Sequence, residues 1–421
     1  MRIFIEKQKV RSTLREMIDS VTPKGGKTMI LREHYLEQIR PFYDSDLIKV
    51  ITGIRRCGKS VIMQQVRDEL KSRSENIIYL EFEDLATRTA LPDADAIMKY
   101  VAANRQAGKC YVLMDEVQEI EGWENVCQSL RLHGDSVFVT GSNSKLLSKE
   151  YVKSLSGRYV SFRIRPFVYH ELLEYAKELG KEITPIDYLV WGGFPKRLEF
   201  SGDALRRYLE DLNETIIYKD LIVRFGIRKG AMFRAVTDFI LRSNARIISV
   251  NSIYKALKQS MKCSENTISK YLGYLEMAYA IDLLKQYSTK TKQELAFYRK
   301  CYDGDVSLNS LRCFDNRYDL DHNLENIVYN ELIYMGYQLS VYVNGSREID
   351  FLAQKGNKKY YIQVAYSVAD DKAYQREFKA FVNIDPLSQK ILISNDELDY
   401  STSIVRHIHF KDFLLMSSLE E

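Results

Sequence analysis

Short, almost wholly apolar runs alternate with stretches of helical spacing through the first third of the chain. Residues 47–51 (LIKVI) are β-branched and apolar, and residues 61–70 (VIMQQVRDEL) repeat apolar positions every three to four residues. The alternation continues with 76–82 (NIIYLEF) as a strand, 93–106 as a helix, 110–114 (CYVLM) as a strand, 123–132 as a helix and 137–140 (VFVT) as a strand. A fifth strand at 160–164 is stopped by Pro166, and a helix opens at Tyr169. A run as short and apolar as CYVLM suits a strand buried on both faces. The pattern predicts an α/β fold, with a parallel five-stranded sheet between helices. Residues 29–43 have the spacing of a helix that leads into the first strand.

Beyond residue 200 the periodicity is mostly helical. Gly192-Gly193-Phe194-Pro195 reads as a turn that closes the α/β region, and 204–221 as the start of a small helical lid. Helices at 252–258 and 266–278 flank a turn at 261–265, and a hairpin at 281–298 follows as a wing. Residues 301–320 are polar and irregular and read as a linker. In the tail, 324–335 (LENIVYNELIYM) is an amphipathic helix, and 349–353 and 360–364 are strands that bring Asp350 near Gln363.

The turns after the strands carry the candidate chemistry. Between the first strand and helix lies GIRRCGKS, from Gly53 to Ser60, a GxxxxGK[ST] pattern. Glycines let a backbone curl around an anion, with main-chain N–H groups and a helix N-terminus pointing inward. The expected ligands of ATP are Gly53, Ile54, Arg55, Arg56, Cys57, Gly58, Lys59, Ser60 and Val61, with Lys59 on the β and γ phosphates and Ser60 on magnesium (Mg2+). The CYVLM strand ends in Asp115-Glu116, at the sheet edge where α/β folds bind ligands. Asp115 is expected to order the magnesium and Glu116 to polarise the attacking water as general base.

Ser142 and Asn143, at the tip of the next strand, are placed to sense the γ-phosphate, although a polar helix cap explains these residue types equally well. Arg158, just before the fifth strand, is a candidate to stabilise transition-state charge, in cis or from a neighbouring subunit of a homo-oligomer. A surface arginine is its plain alternative. Arg32 or Tyr35 would lie over the adenine, unless they belong to a solvated helix face.

Composition adds boundaries rather than chemistry. The chain has 421 residues, 45% of them hydrophobic, which suits two or three domains with ordinary cores. The N-terminus (MRIFIEKQKV) lacks an apolar signal core and no run of about 18 apolar residues occurs, so a cytoplasmic protein without membrane insertion is expected. Cysteines at 57, 110, 127, 263, 301 and 313 stand singly, without the paired spacing of zinc or redox centres. Net charge is +4 overall, yet residues 221–300 hold 15 Lys and Arg against 5 Asp and Glu. That segment is the candidate for meeting DNA. Ser264, Asn266, Thr267, Ser269 and Lys270 would lie near the start of a recognition helix, and Lys285, Lys290, Lys292 and Arg299 on the wing. A core face of Ile268, Leu272 and Leu275 behind solvated lysines is the alternative.

Together, GIRRCGKS, VLMDEVQEI, VTGSNSKLL, SGRYVSFRIRPFVYHEL and WGGFPKRL resemble a prokaryotic group of AAA-type P-loop ATPases near the signal-transduction and archaeal-type branch. The resemblance covers essentially the whole chain. It implies a strand inserted between the phosphate-loop strand and the Asp115-Glu116 strand, and it sets Arg158 in the family's Gly-Arg pair. It also implies a winged helix and a C-terminal domain similar to restriction endonucleases. The expected domains are an approach segment (1–46), the ATPase core (47–195), a helical lid with winged helix (196–300), a linker (301–320) and the nuclease-like domain (321–421).

Nucleases of that type need a metal-binding Asp on one strand, then a Glu and a Lys two residues apart on the next, so that carboxylates hold the metal and the Lys supports the attacking water. Glu325 and Asp350 match, but Gln363 and Ala365 stand where Glu and Lys are required. The expected function is therefore Mg-ATP hydrolysis coupled to a winged helix and a degenerate nuclease-like module, with an unidentified protein client. A DNA-binding regulator with structural nucleotide is the rival, and a metal-dependent nuclease the weaker one.

Overall fold

Ile48–Thr52 (β1), Tyr111–Asp115 (β3) and Ser136–Gly141 (β4) are buried at every position. Strands of this kind belong inside a sheet covered on both faces. The computed structural model describes residues 30–142, 157–287, 299–344, 347–385 and 387–420. In its first unit, Met1–Arg165, those strands join Ile77–Glu81 (β2) and Tyr159–Arg163 (β5) in the order β2-β3-β4-β1-β5, and every pairing is parallel. β4 separates the phosphate-loop strand from the Asp115 strand, as the resemblance implies.

Among the described residues, five helices accompany the sheet: Glu33–Ile39 (α1), Lys59–Lys71 (α2), Leu85–Ala90 (α3), Ala94–Asn104 (α4) and Trp123–Leu132 (α5). Their starts are written locally. The Asp93 carboxylate caps α4 by accepting from the Ala96 N–H, an arrangement worth about 1 kcal/mol. The core between α4, α5 and the sheet includes Val112, Met114, Val137 and Val139 against Ile97, Val126 and Leu130.

The second unit is Pro166–Glu421. It opens with Tyr169–Glu178 (α6), Pro185–Trp191 (α7) and Gly202–Thr215 (α8), the last continuing as a π-helical turn, Ile216–Val223. Gly230–Leu241 (α9), Arg246–Ile248 (β6), Val250–Leu257 (α10), Glu265–Met277 (α11), Ile281–Lys285 (β7) and Arg299–Asp303 (β8) follow. The three strands form an antiparallel sheet in the order β6-β8-β7. The tail consists of Leu320–Tyr334 (α12), Gln338–Asn344 (β9), Arg347–Lys355 (β10), Lys358–Ala365 (β11), Asp371–Ala380 (α13), Gln389–Ser394 (β12) and Arg406–His409 (β13). Its sheet runs β13-β12-β11-β10-β9, antiparallel from β9 to β11 and parallel from β11 to β13.

Two expected boundaries move. The first unit ends at Arg165 rather than 195. The glycine pair lies inside the second unit, where Gly193 N–H donates to Asp305 and Gly193 O accepts from the Phe167 N–H. A Cβ on Gly193 would stand 2.1 Å from Phe167 O, so the glycine serves a close backbone approach. The first half of the stretch read as a linker is packed, since residues 301–310 are buried throughout and 301–303 belong to β8, whereas 311–320 are half-buried or exposed. Several of its polar groups are satisfied internally, although the buried Asp303 carboxylate has no hydrogen-bond partner among the described residues. The Asp303 N–H donates to Asn326 Oδ1 at 2.7 Å and Asn309 to Asn323 at 2.9 Å, while Asn323 donates to Leu189 O.

Candidate functional site

The chain leaves β1 through Gly53 and enters α2 after Gly58, with φ of 151° and 103°. Both angles lie where side chains are rarely tolerated. At Gly53 a Cβ would also stand 2.2 Å from Ile164 O. Gly58 caps α2 without a side-chain hydrogen bond, so the first N–H groups of a thirteen-residue helix are open to an anion. Within the loop Ile54 and Cys57 are buried, Arg55 and Val61 half-buried and Arg56 exposed. Burial pushes the Cys57 thiol up, and its Sγ donates to Ile164 O at 3.3 Å. Cys57 thus packs the loop as a neutral thiol.

Lys59, buried, donates to Ile54 O at 3.2 Å and stands 4.0 Å from Glu116. Ser60 is hydrogen-bonded to Asp115, which ends β3 and is almost fully buried. Burial, and then Glu116 beside it, raises the Asp115 pKa. A hydroxyl and a carboxylate in contact are oxygen donors of the kind magnesium takes. Glu116 has a left-handed backbone, φ 54°, a costly conformation for a side-chain-bearing residue. Its N–H donates to Thr140 Oγ1 at 2.9 Å, and the same hydroxyl donates to Asp115. Thr140 therefore fixes both carboxylate-bearing residues, a role its place in VFVT did not signal.

Ser142 follows β4, is buried, and its hydroxyl has no hydrogen-bond partner among the described residues. Asn143 lies outside the described residues. Arg158 departs from expectation. Tyr159 pairs with Ile48 and Arg163 with Thr52, so Arg158 stands exposed at the end of the sheet opposite the phosphate loop. Strands rise about 3.3 Å per residue, which leaves roughly 15 Å between the two edges. In cis the side chain does not reach. Arg163, at the loop end of β5 and acting electrostatically on Cys57, is the arginine that sequence spacing passed over.

Arg32 and Tyr35 are likewise not positioned as base contacts. The buried Arg32 guanidinium donates to Cys57 O at 3.0 Å and Arg165 O at 3.1 Å, and the Tyr35 hydroxyl accepts from the Arg165 N–H. They tie the back of the loop to the chain leaving β5. Glu81, at the end of β2, pairs with Asp115, and burial followed by Asp115 pushes it up to about 7. Its signal was a carboxylate at a strand end, the same one that marked Asp115.

In the second unit, Ser264 caps α11 by accepting from Thr267 N–H. Ser264, Asn266, Ser269 and Lys270 are exposed and Thr267 half-exposed, while Ile268, Leu272 and Leu275 are buried. Lys285 and Arg299 are exposed; Lys290 and Lys292 lie outside the described residues. In the tail, Asp350 N–H donates to Gln363 Oε1 at 3.3 Å and Asp350 Oδ2 accepts from Val364 N–H at 2.9 Å. Gln363 and Ala365 line a cleft of about 460 Å³ with Glu325 and Asp350.

Residues 45–173 match the family described as an AAA domain, residues 184–314 a domain of unknown function (DUF8612), and residues 321–413 a second domain of unknown function (DUF4143). An uncharacterized protein of Haemophilus influenzae is 33% identical over 381 residues, which cover 88% of this chain and 94% of that protein. An uncharacterized protein of Methanocaldococcus jannaschii is 30% identical over 374 residues, covering 83% and 82%. A solved Walker-type ATPase of Pyrococcus abyssi matches 68% of this chain and 96% of its own, at 16% identity and a TM-score of 0.48. Among the described residues no helix is long and apolar enough to cross a membrane. The chain belongs to one family with the H. influenzae and M. jannaschii proteins, and its first unit carries an AAA domain built on a P-loop NTPase core.

Proposed function

We propose that the protein binds and hydrolyses Mg-ATP in the cytoplasm and uses the nucleotide state to switch a winged helix and a nuclease-like tail that lacks nuclease chemistry. One observation carries this reading: Lys59, Ser60, Asp115 and Glu116 converge at the carboxyl edge of β1 and β3, with Thr140 of the intervening β4 tying the two acids. Lys59 exchanges the Ile54 carbonyl for phosphate oxygens. Ser60 and Asp115 hold the magnesium, which supplies charge neutralisation on the phosphates. Glu116 orients and deprotonates water, and Ser142 reads the γ-phosphate with its unengaged hydroxyl. Arg158, too distant in cis, acts from a neighbouring copy in a homo-oligomer. Steady-state phosphate release tests the site. Glu116→Gln is expected to lower turnover by on the order of 10²–10³ with ATP still bound, and Lys59→Ala to lose ATP binding. Equal rates in all three proteins would overturn it.

The order α9, β6, α10, α11, β7, β8 supports the winged-helix reading, and the exposed polar residues at the start of α11 support DNA contact. If DNA binding is the primary activity and nucleotide only a structural ligand, Glu116→Gln leaves it unchanged. Duplex affinity of the full chain is expected to fall steeply with salt and to weaken in Lys270→Glu. Affinity indifferent to both would remove DNA from the reading.

A further inference from the structure

Lys300 is carried on β8, yet its ammonium lies within the tail. Only 4% of the residue is exposed. Nζ stands 2.7 Å from Glu325 on α12, 2.8 Å from Glu348 and 2.7 Å from Asp350, both on β10. Positions 348 and 350 are two apart on a strand and so share a face. An ammonium has three donors, and here three carboxylates accept them. Tyr302, on the same face of β8, donates to Glu325 at 2.6 Å. Asp350 accepts from β11 through its second oxygen, and Gln363 donates to Glu377 at 2.6 Å. The cleft before them has Arg376 and Glu377 on its wall.

We propose that Lys300 is the built-in cation of this cleft: it fills the position a divalent metal would take, pins β8 to the tail, and keeps the site closed to metal. The word "metal" rests on the nuclease-like reading of the tail; the socket itself does not. Among the described residues no three or more His, Cys, Asp or Glu side chains are arranged to hold a metal ion, and at this place the ammonium stands between the carboxylates. Three carboxylates around one positive charge leave an excess of negative charge. With the lysine removed, a doubly charged cation is the better match.

The test uses the full-length protein without nucleotide, titrated with Mn2+ by calorimetry and followed by thermal unfolding. Wild type is expected to show no Mn2+ site that Asp350→Asn removes. Lys300→Ala should lose on the order of 10 °C in Tm, gain one Mn2+ site, and regain part of its Tm with Mn2+. Adding Asp350→Asn to that variant should abolish the new site. A wild-type Mn2+ site dependent on Asp350, or a folded Lys300→Ala without a site, overturns the proposal. Should Lys300→Ala fail to fold, the quadruple variant Lys300→Met, Glu325→Gln, Glu348→Gln, Asp350→Asn is expected to fold because none of the three carboxylates is left without its cation, and its failure also overturns it. Metal-dependent cleavage of DNA by wild type, lost in Asp350→Asn, would overturn both this proposal and the inert-tail reading; the Tm arm reports on the socket alone.

Discussion

Two lysines of this protein sit among carboxylates at sheet edges, and they differ in how fully they are engaged. Lys59 donates to one loop carbonyl and keeps 4.0 Å from Glu116. Lys300 has three carboxylate oxygens within 2.8 Å. A cation held by a weak neutral acceptor gives it up at little cost when a phosphate arrives. A cation whose donors are all charge-paired has no such freedom, because leaving would strand buried negative charge. The nucleotide site thus keeps its lysine in reserve, whereas the tail has spent its lysine on structure.

The sharpest break of that contrast is to delete each cation. Lys300→Met is expected to cost about 3–5 kcal/mol of unfolding free energy, whereas Lys59→Met should cost under about 1 kcal/mol while abolishing ATP binding; denaturant titration of both variants gives the comparison. Comparable stability losses would collapse the distinction.

Arg32 is an intermediate case, a buried cation that holds two backbone carbonyls. Arg32→Met leaves Cys57 O and Arg165 O without that donor, and about 1–3 kcal/mol of stability should go with it. ATP affinity measured on the same variant should weaken severalfold, because the back of the phosphate loop is no longer held.

Lys49 sharpens the comparison from the other side, as a fully buried lysine hydrogen-bonded to Ser136 with no ion-pair carboxylate among the described residues. Burial lowers its pKa to about 7, against about 10.4 in the unfolded chain. Between those values the unfolded state binds more protons, so stability rises with pH across that window and is flat below it. Lys49→Met should remove the rise and be the more stable protein at pH 7, read from unfolding at several pH values.

The smallest effect is expected at Arg158, which is exposed at the far edge of the sheet. Arg158→Ala should leave turnover of the isolated chain unchanged. A loss that appears only as protein concentration rises would assign the residue to a neighbouring copy.

Much of this was legible in the residues themselves. GIRRCGKS and the Asp115-Glu116 strand end marked the candidate site because glycine placement, helix starts and all-apolar strands are local properties. The helices around residue 261 and the tail strands bearing Asp350 and Gln363 were legible for the same reason, to within a few residues. Residues 301–310 of the expected linker were misread because a polar composition resembles solvent exposure. Asn309, Asn323 and Asn326 are polar yet buried, since each is the hydrogen-bond partner of a segment distant in the chain.

The sequence by itself determined where the backbone curls into a glycine loop, which strands are covered on both faces, and that Gln363 and Ala365 stand where a nuclease of the expected type would need Glu and Lys. Tertiary structure alone decided the placement of the cations. The register of β5 against β1 put Arg158 at the edge away from the phosphate loop and Arg163 at the loop edge. The meeting of β8, α12 and β10 turned an unremarked lysine into the occupant of a three-carboxylate socket. Conformation along the chain is set by neighbours a few residues away, but electrostatic partners are set by which elements the fold brings within 3 Å, and no local pattern carries that distance.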